Sequence, residues 1–163
     1  MLKRFFWLAI ATVVLVWNLG NNSALALDLD AETRTVPLNE QGETVTLSLE
    51  QATRGKRLFG DICAQCHPSG LTKTNPNVNL SSESLALATP RRDNVEALVD
   101  YMKNPTTFDG EFDISELHPA TKSADIFPEM RNLTDDDLFN IAGHILIQPK
   151  LRGKKWGGGK VYN

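Results

Sequence analysis

Two cysteines and a histidine form the part of the sequence whose residue types and spacing are best suited to chemistry. They stand in the run "CAQCH" as Cys63, Cys66 and His67. Two thiols three residues apart on a turn can add to the two vinyl groups of one porphyrin, and the adjacent histidine then reaches the iron. The Cys-x-x-Cys-His pattern is typical of this attachment. It predicts one covalently bound haem c, with His67 as the proximal iron ligand.

Two other kinds of site could use the same cysteines. A structural zinc site usually needs four ligands, but Cys63 and Cys66 are the only cysteines in the sequence and have no second pair to join them. A thioredoxin-like redox pair is expected near a βαβ pattern, which the flanking sequence does not predict. Haem attachment is therefore the favoured interpretation.

The ligand on the other face of the iron must come from elsewhere, and the segment "SELHPATKSADIFPEMRNLTDDDL" offers His118 and Met130. Small cytochromes c usually place a methionine in the loop before the last helix, and an alignment on "LTDDDL" puts Ile126 there. Met130 lies close to the predicted helix start, and Met102 lies on an apolar helical stripe, so both favour core packing. His118 is therefore the favoured distal ligand, with Met130 as the alternative.

The type of distal ligand determines what the haem can do. Methionine opposite histidine raises the potential of a haem, so a second histidine predicts a low-potential centre. A six-coordinate iron has no open position for a substrate. We therefore expect no enzyme activity and no small-molecule substrate, whereas electron transfer and a structural role both stay open.

The N-terminal residues 1–26 have the three parts of a secretory signal peptide. Lys3 and Arg4 precede an apolar core over residues 5–17, and a small-x-small motif ends at Ala26. The apolar core is about 13 residues long, shorter than the ~20 needed to span a bilayer. We predict cleavage after Ala26, which leaves residues 27–163 as a single exported domain.

The charge balance bears on the choice of partner. The sequence has 17 basic and 20 acidic residues, and only two of the basic ones lie in the predicted signal peptide. The remaining 15 basic and 20 acidic residues give a net charge of −5. An acidic surface argues against nucleic acid as a partner and fits docking onto a basic protein surface.

The predicted elements form a mainly α fold with an N-terminal β-hairpin. The hairpin covers residues 33–47, with its turn at "NEQG". Ser48 and Gln51 form a capping-box pattern at the start of the helix that leads into "CAQCH". Residues 68–89 read as a loop, because they are rich in Ser, Thr, Asn and Pro.

Two further helices are predicted. The first follows "RRDN" and has an apolar stripe, and it stops before Pro105; the stripe consists of Val95, Leu98, Val99 and Met102. The second begins at the N-cap Thr134, carries aspartates in its first turn and is predicted to end at Pro149. The tail, residues 150–163, is too rich in Gly and Lys to predict regular structure.

The flanking helices resemble those of small c-type cytochromes, in which a glycine and an aromatic residue four positions later cross the last helix tightly. Here these residues are Gly55 and Phe59, and His144 stands where the family usually has an aromatic residue. The resemblance implies that His144 packs at the helix crossing and is not an iron ligand.

Three stretches carry a more specific resemblance: "ALATPRRDNVEALVDYMKNPTTFDGE", "ELHPATKSADIFPEMRNLT" and "KWGGGKVY". They are similar to the extrinsic low-potential cytochrome c subunits of photosystem II in cyanobacteria and red algae. The resemblance spans essentially all of residues 27–163, without departure at the haem-binding positions. It implies a cytochrome c-like helical fold, thioether bonds to Cys63 and Cys66, and bis-histidine ligation by His67 and His118.

The same resemblance implies a location and a role. The subunit would lie in the thylakoid lumen, peripheral to the membrane, and bind the photosystem II core and the other extrinsic lumenal subunits. There it would stabilise the manganese–calcium cluster and help to retain calcium and chloride. The alternative is a soluble electron-transfer cytochrome of the lumen or periplasm, and a third class, a peroxidase-like enzyme, would need an open iron site.

Overall fold

The computed structural model describes residues 29–158, so residues 1–28, which include the predicted signal peptide, and residues 159–163 lie outside the described part. The described chain is mainly helical, with one two-stranded antiparallel sheet near its start, which confirms the predicted fold class. Among residues 29–158, no helix is both long and apolar enough to cross a membrane. The helices and strands are α1 (Ala31–Arg34), β1 (Thr35–Pro37), β2 (Thr44–Thr46), α2 (Leu49–Leu58), α3 (Ser82–Leu87), α4 (Val95–Lys103) and α5 (Asp135–Arg152).

The hairpin is shorter than its predicted span, since residues 33 and 34 belong to α1. β1 and β2 pair Thr35 with Thr46 and Val36 with Val45, and the side chain of Val36 is fully buried. The ammonium group of Lys150 donates to the carbonyl oxygens of Glu32 and Thr35, at 2.9 and 2.5 Å. The last helix therefore holds the N-terminal hairpin in place.

Helix α2 begins as predicted, with a complete capping box between Ser48 and Gln51. It crosses α5 where the backbones are very close, because a Cβ atom at Gly55 would lie 1.9 Å from the carbonyl oxygen of Asn140. Leu138 and Ile141 of α5 are almost fully buried. The crossing of α2 and α5 thus forms the centre of the core, just before the "CAQCH" motif.

Helix α4 packs its apolar stripe into the same core. Val95, Leu98 and Met102 are buried, while Val99 is only partly buried. The side chain of Asn94 caps the helix by accepting from the backbone N–H of Ala97 at 2.9 Å.

Three predictions of local structure are wrong. Part of the predicted loop 68–89 is helix α3, whose N-cap Ser81 and buried Leu85 suffice for a helix too short to show a periodic pattern. Helix α5 continues through Pro149 to Arg152; a proline lacks an N–H donor and crowds the carbonyl four residues earlier, but only three helical residues follow it here. The tail is also ordered as far as it is described, with a 3₁₀ turn at Gly153–Lys155 and a buried Trp156.

Candidate haem site

The "CAQCH" motif follows directly from helix α2 through a change in helical geometry. Residues Phe59–Cys63 form one π-helical turn, a feature that often occurs at functional sites. The chain then folds tightly, since the backbone N–H groups of Cys66 and His67 both donate to the carbonyl oxygen of Cys63, at 3.2 and 2.8 Å. The two thiols and the imidazole are therefore presented from one compact turn.

The two thiols of the motif are not joined to each other by a disulfide. Cys63 is partly buried and Cys66 is exposed. Burial, followed by the proximity of Cys66, raises the pKa of the Cys63 thiol to about 12. Cys63 thus lies in an apolar setting against the core, and its carbonyl oxygen accepts from the backbone N–H of the motif's histidine.

His67 is oriented by the loop that follows it. Its Nδ1 lies 3.0 Å from the carbonyl oxygen of Leu71 and 3.2 Å from the hydroxyl of Thr72. A carbonyl oxygen can only accept, so Nδ1 carries the proton and Nε2 is left as a lone-pair donor. Burial lowers the pKa of His67, which favours the neutral form that a metal requires.

The C-terminal tail holds this proximal loop. The Trp156 indole N–H donates to the carbonyl oxygen of Leu80 at 2.7 Å, and the Gly157 N–H donates to Ser69 at 2.9 Å. Gly70 has a φ of +80°, and a Cβ atom there would lie 2.6 Å from the Trp156 ring. Only glycine therefore allows the loop after His67 to lie against the tryptophan.

His118 comes from the long loop between α4 and α5. Its backbone N–H donates to Ile114, and its Nδ1 lies 3.0 Å from the carbonyl oxygen of Pro119. As at His67, this arrangement protonates Nδ1 and leaves Nε2 to bind a metal. Burial is the main cause that lowers the pKa of His118 to about 4, with smaller effects from His67 and Arg92.

The two histidines predicted as ligands lie together. The ring centres of His67 and His118 are 6.1 Å apart, and the ring planes are inclined by 50°. A histidine nitrogen binds a transition metal at about 2 Å, with the ring centre about 1 Å behind it, so two imidazoles on opposite sides of one ion have centres about 6 Å apart. The donor set and its spacing therefore fit an iron between these two rings.

The alternative sulfur ligands belong to the core. Met130 is 3% exposed and Met102 is 7% exposed, and both lie in the main hydrophobic cluster. Ile126, at the position where a methionine ligand is usual, is 51% exposed. The prediction that Met130 and Met102 fill the core is confirmed. In the described part of the chain, no group of three or more His, Cys, Asp and Glu side chains is arranged to hold a metal.

His144 lies at the helix crossing, as the resemblance to small cytochromes implied. It is buried, and its ring centre is 5.1 Å from that of Phe59 and 6.4 Å from that of Trp156. The amide of Gln148 lies 3.4 Å from its Nδ1. Burial lowers the pKa of His144 to about 4, so this imidazole is neutral at physiological pH.

Two residues next to His118 were not singled out from the sequence. The Tyr101 ring meets His118 edge to face, with centres 5.0 Å apart. The guanidinium carbon of Arg92 lies 4.0 Å from the Tyr101 ring centre. No sequence signal pointed to them, because Tyr101 lies beside an ordinary apolar stripe and Arg92 is one of two adjacent arginines.

Comparisons with known proteins show which family the chain resembles along its whole length. Residues 27–163 match the family model of the cytochrome c-550 domain. The chain is 65% identical to the photosystem II extrinsic protein V of Trichormus variabilis over 162 residues, covering 99% of each chain. It is 62% identical to the protein of the same name from Synechococcus elongatus, covering 99% of this chain and 96% of the relative.

Solved structures show the same fold. A crystal structure of cytochrome c549 is 62% identical, with a TM-score of 0.77, and the match covers 78% of this chain and 99% of that one. The PsbV2 cytochrome of Thermosynechococcus elongatus is 35% identical, with a TM-score of 0.64 over 76% of this chain and 88% of that one.

Proposed function

Because the chain belongs to the cytochrome c-550 family, we propose that it is a low-potential c-type cytochrome that serves as an extrinsic subunit on the lumenal side of photosystem II. The observation that carries the haem assignment is the pair of imidazoles, His67 and His118, at 6.1 Å. The observation that carries the assembly is full-length similarity to proteins named photosystem II extrinsic protein V.

Each residue of the site has a distinct task. Cys63 and Cys66 would form the thioether bonds that fix one haem c to the turn after α2. His67 and His118 would hold the haem iron through Nε2, and the carbonyl oxygens of Leu71 and Pro119 orient the two rings by accepting from Nδ1. When bound, the haem supplies one-electron chemistry between ferric and ferrous iron.

The two histidines also restrict what the site can do. With both imidazoles bound to it, the iron would have no open position for oxygen, peroxide or another substrate. Since methionine ligation raises the potential, two histidines favour the ferric state and a low potential. The protein is therefore a subunit and not an enzyme, and we expect carbon monoxide and peroxide to bind poorly.

In the assembly, the protein stabilises the manganese–calcium cluster and helps to retain calcium and chloride. Its partners are the photosystem II core and the other extrinsic lumenal subunits, and it reaches the membrane only through them. The net charge of −5 over residues 27–163 supports docking onto basic protein surfaces.

The lumenal location rests on export. Residues 1–26 act as a signal peptide that is removed after Ala26, and residues 27–163 fold as a single domain. The family match supports this boundary, because it begins at residue 27.

The test is to wash thylakoid membranes with concentrated salt and to follow both the protein and oxygen evolution. We expect the wash to release the protein and to weaken oxygen evolution most when calcium or chloride is scarce, and we expect the purified protein to restore it. Recovery only in the soluble fraction, with unchanged oxygen evolution in a deletion strain under the same limitation, would contradict the proposal. That result would favour a soluble electron carrier instead.

A further inference from the structure

Arg92 places a cation in the interior next to the distal side of the site. The residue is 8% exposed although it precedes helix α4 in a polar stretch. One terminal nitrogen donates to the carbonyl oxygens of Thr106 and Thr107, at 3.1 and 2.6 Å, and lies 3.2 Å from the Thr106 hydroxyl. The guanidinium is thus fixed by neutral acceptors at the base of the loop that carries His118.

No carboxylate neutralises this charge within the described chain. The four ion pairs among residues 29–158 involve Arg54, Arg91, Lys103 and Lys122, and none involves Arg92. Its Nε is buried without an acceptor among the same residues. A buried cation without a counter-charge costs free energy, so its presence here calls for a compensating contact.

That contact is the ring of Tyr101. The guanidinium carbon lies 4.0 Å from the ring centre, within the distance at which a cation is attracted to an aromatic face. Tyr101 in turn meets His118 edge to face, at 5.0 Å and an angle of 64°. Arg92, Tyr101 and His118 therefore form a continuous stack that ends on the distal imidazole.

We propose that Arg92 is a positioning residue for the distal ligand: it holds Tyr101, which fixes the plane of the His118 ring, and its charge raises the potential of the site. This inference rests on the proposed function, because it requires His118 to bind iron. The Nδ1 contact to Pro119 holds only one edge of the imidazole. The stack restricts rotation of the ring about its bond to the metal.

The charge and the stack have separable effects. Reduction adds one negative charge at the iron, so a nearby cation without a counter-ion favours the reduced form. The angle between the two imidazole planes affects the g values of a low-spin ferric haem. The midpoint potential therefore reports the charge, and the g values report the orientation of His118.

The test compares three variants of the haem-loaded protein with the parent. Arg92→Gln removes the charge and the stack. We expect shifted g values and a reduction equilibrium about tenfold less favourable, which lowers the midpoint potential by about 59 mV. Arg92→Lys keeps the charge but cannot stack as a plane. The equilibrium constant for reduction should therefore stay within about twofold of the parent value, while the g values shift. Arg91→Gln is the matched control, because Arg91 is exposed and pairs with Asp93; it should change neither readout.

The outcomes test the positioning role of Arg92 separately from the proposed function. If Arg92→Gln has the same g values and midpoint potential as Arg91→Gln, the positioning role of Arg92 is overturned. If Arg92→Gln does not fold, Tyr101→Leu removes the ring between Arg92 and His118, and unchanged g values in that variant would overturn the role equally. A parent spectrum without two imidazole ligands would instead contradict the assignment of His118 itself.

Discussion

Gly55 and Asn140 touch backbone to backbone: a Cβ atom built at Gly55 would lie 1.9 Å from the carbonyl oxygen of Asn140 and 3.2 Å from the Cβ atom of His144. This contact sets the distance between helices α2 and α5. Since the "CAQCH" turn begins at the end of α2, the contact also sets where the cysteines and His67 stand relative to the rest of the core.

The first prediction concerns this crossing. Gly55→Ala forces the helices apart, because the atom in the way belongs to the backbone and cannot rotate aside. We expect a loss of about 3 kcal/mol in the free energy of unfolding, as for severe overpacking of a core. Denaturant unfolding measures it. Gly60→Ala is the control, because nothing lies within 4 Å of a Cβ atom there; equal stability of the two variants would refute the account of the crossing.

The second prediction concerns the start of helix α5. Asp137 is 3% exposed, accepts from the Thr134 N–H at 3.2 Å and pairs with Arg54 at 2.5 Å. Asp137→Ala removes these contacts, and we expect it to cost about 1–2 kcal/mol more than Asp136→Ala. Asp136 is exposed in the same helical turn and controls for the helix dipole. Thermal unfolding compares them, and equal melting temperatures would contradict this role of Asp137.

The third prediction concerns the pH dependence of stability through His144. Burial lowers its pKa from 6.5 to about 4, with smaller contributions from Arg152 and Lys56. Between these values the unfolded chain binds a proton that the folded protein does not, so stability falls as the pH is lowered through this window. The full effect is about 3 kcal/mol.

Replacing His144 by phenylalanine should remove that contribution. We expect the free energy of unfolding of the parent to fall more steeply than that of His144→Phe from pH 6.5 to pH 4. His67 and His118 are present in both proteins, so their contributions cancel in the comparison. Parallel pH profiles of the two proteins would show that His144 is not the group responsible.

The fourth prediction concerns the distal ligand. His118→Met replaces an imidazole by a thioether, which favours ferrous iron and raises the midpoint potential. A potentiometric titration of the purified protein measures the change. His144→Phe is the control, because the ring contacts of His144 are with Phe59 and Trp156. A potential that stays at the parent value in His118→Met would rule out His118 as a ligand.

The elements that the sequence predicted correctly depend on short-range signals. The capping box of Ser48 and the N-cap at Thr134 each lie within four residues, and the "CAQCH" motif spans five. The stripe of α4 and the core position of Met130 also follow from periodicity and from distance to a helix start. Such signals need no knowledge of the rest of the chain.

The errors and omissions arise where distant residues decide the structure. Helix α3 is stabilised by burial of Leu85, and Trp156 is ordered by a hydrogen bond to Leu80, 76 residues earlier in the chain. The contact of Arg92 with Tyr101 likewise requires the fold to bring a polar stretch over a helix face. Composition described the regions of helix α3 and Trp156 as loop and tail, because it carries no information about such partners.

The central claim is that His67 and His118 bind one iron from opposite sides. A low-temperature electron paramagnetic resonance spectrum of the oxidised protein tests it most directly, since the g values distinguish pairs of axial ligands. We predict a low-spin ferric spectrum of a haem with two imidazole ligands. A histidine–methionine spectrum, or a high-spin spectrum of iron with an open axial position, would contradict the claim.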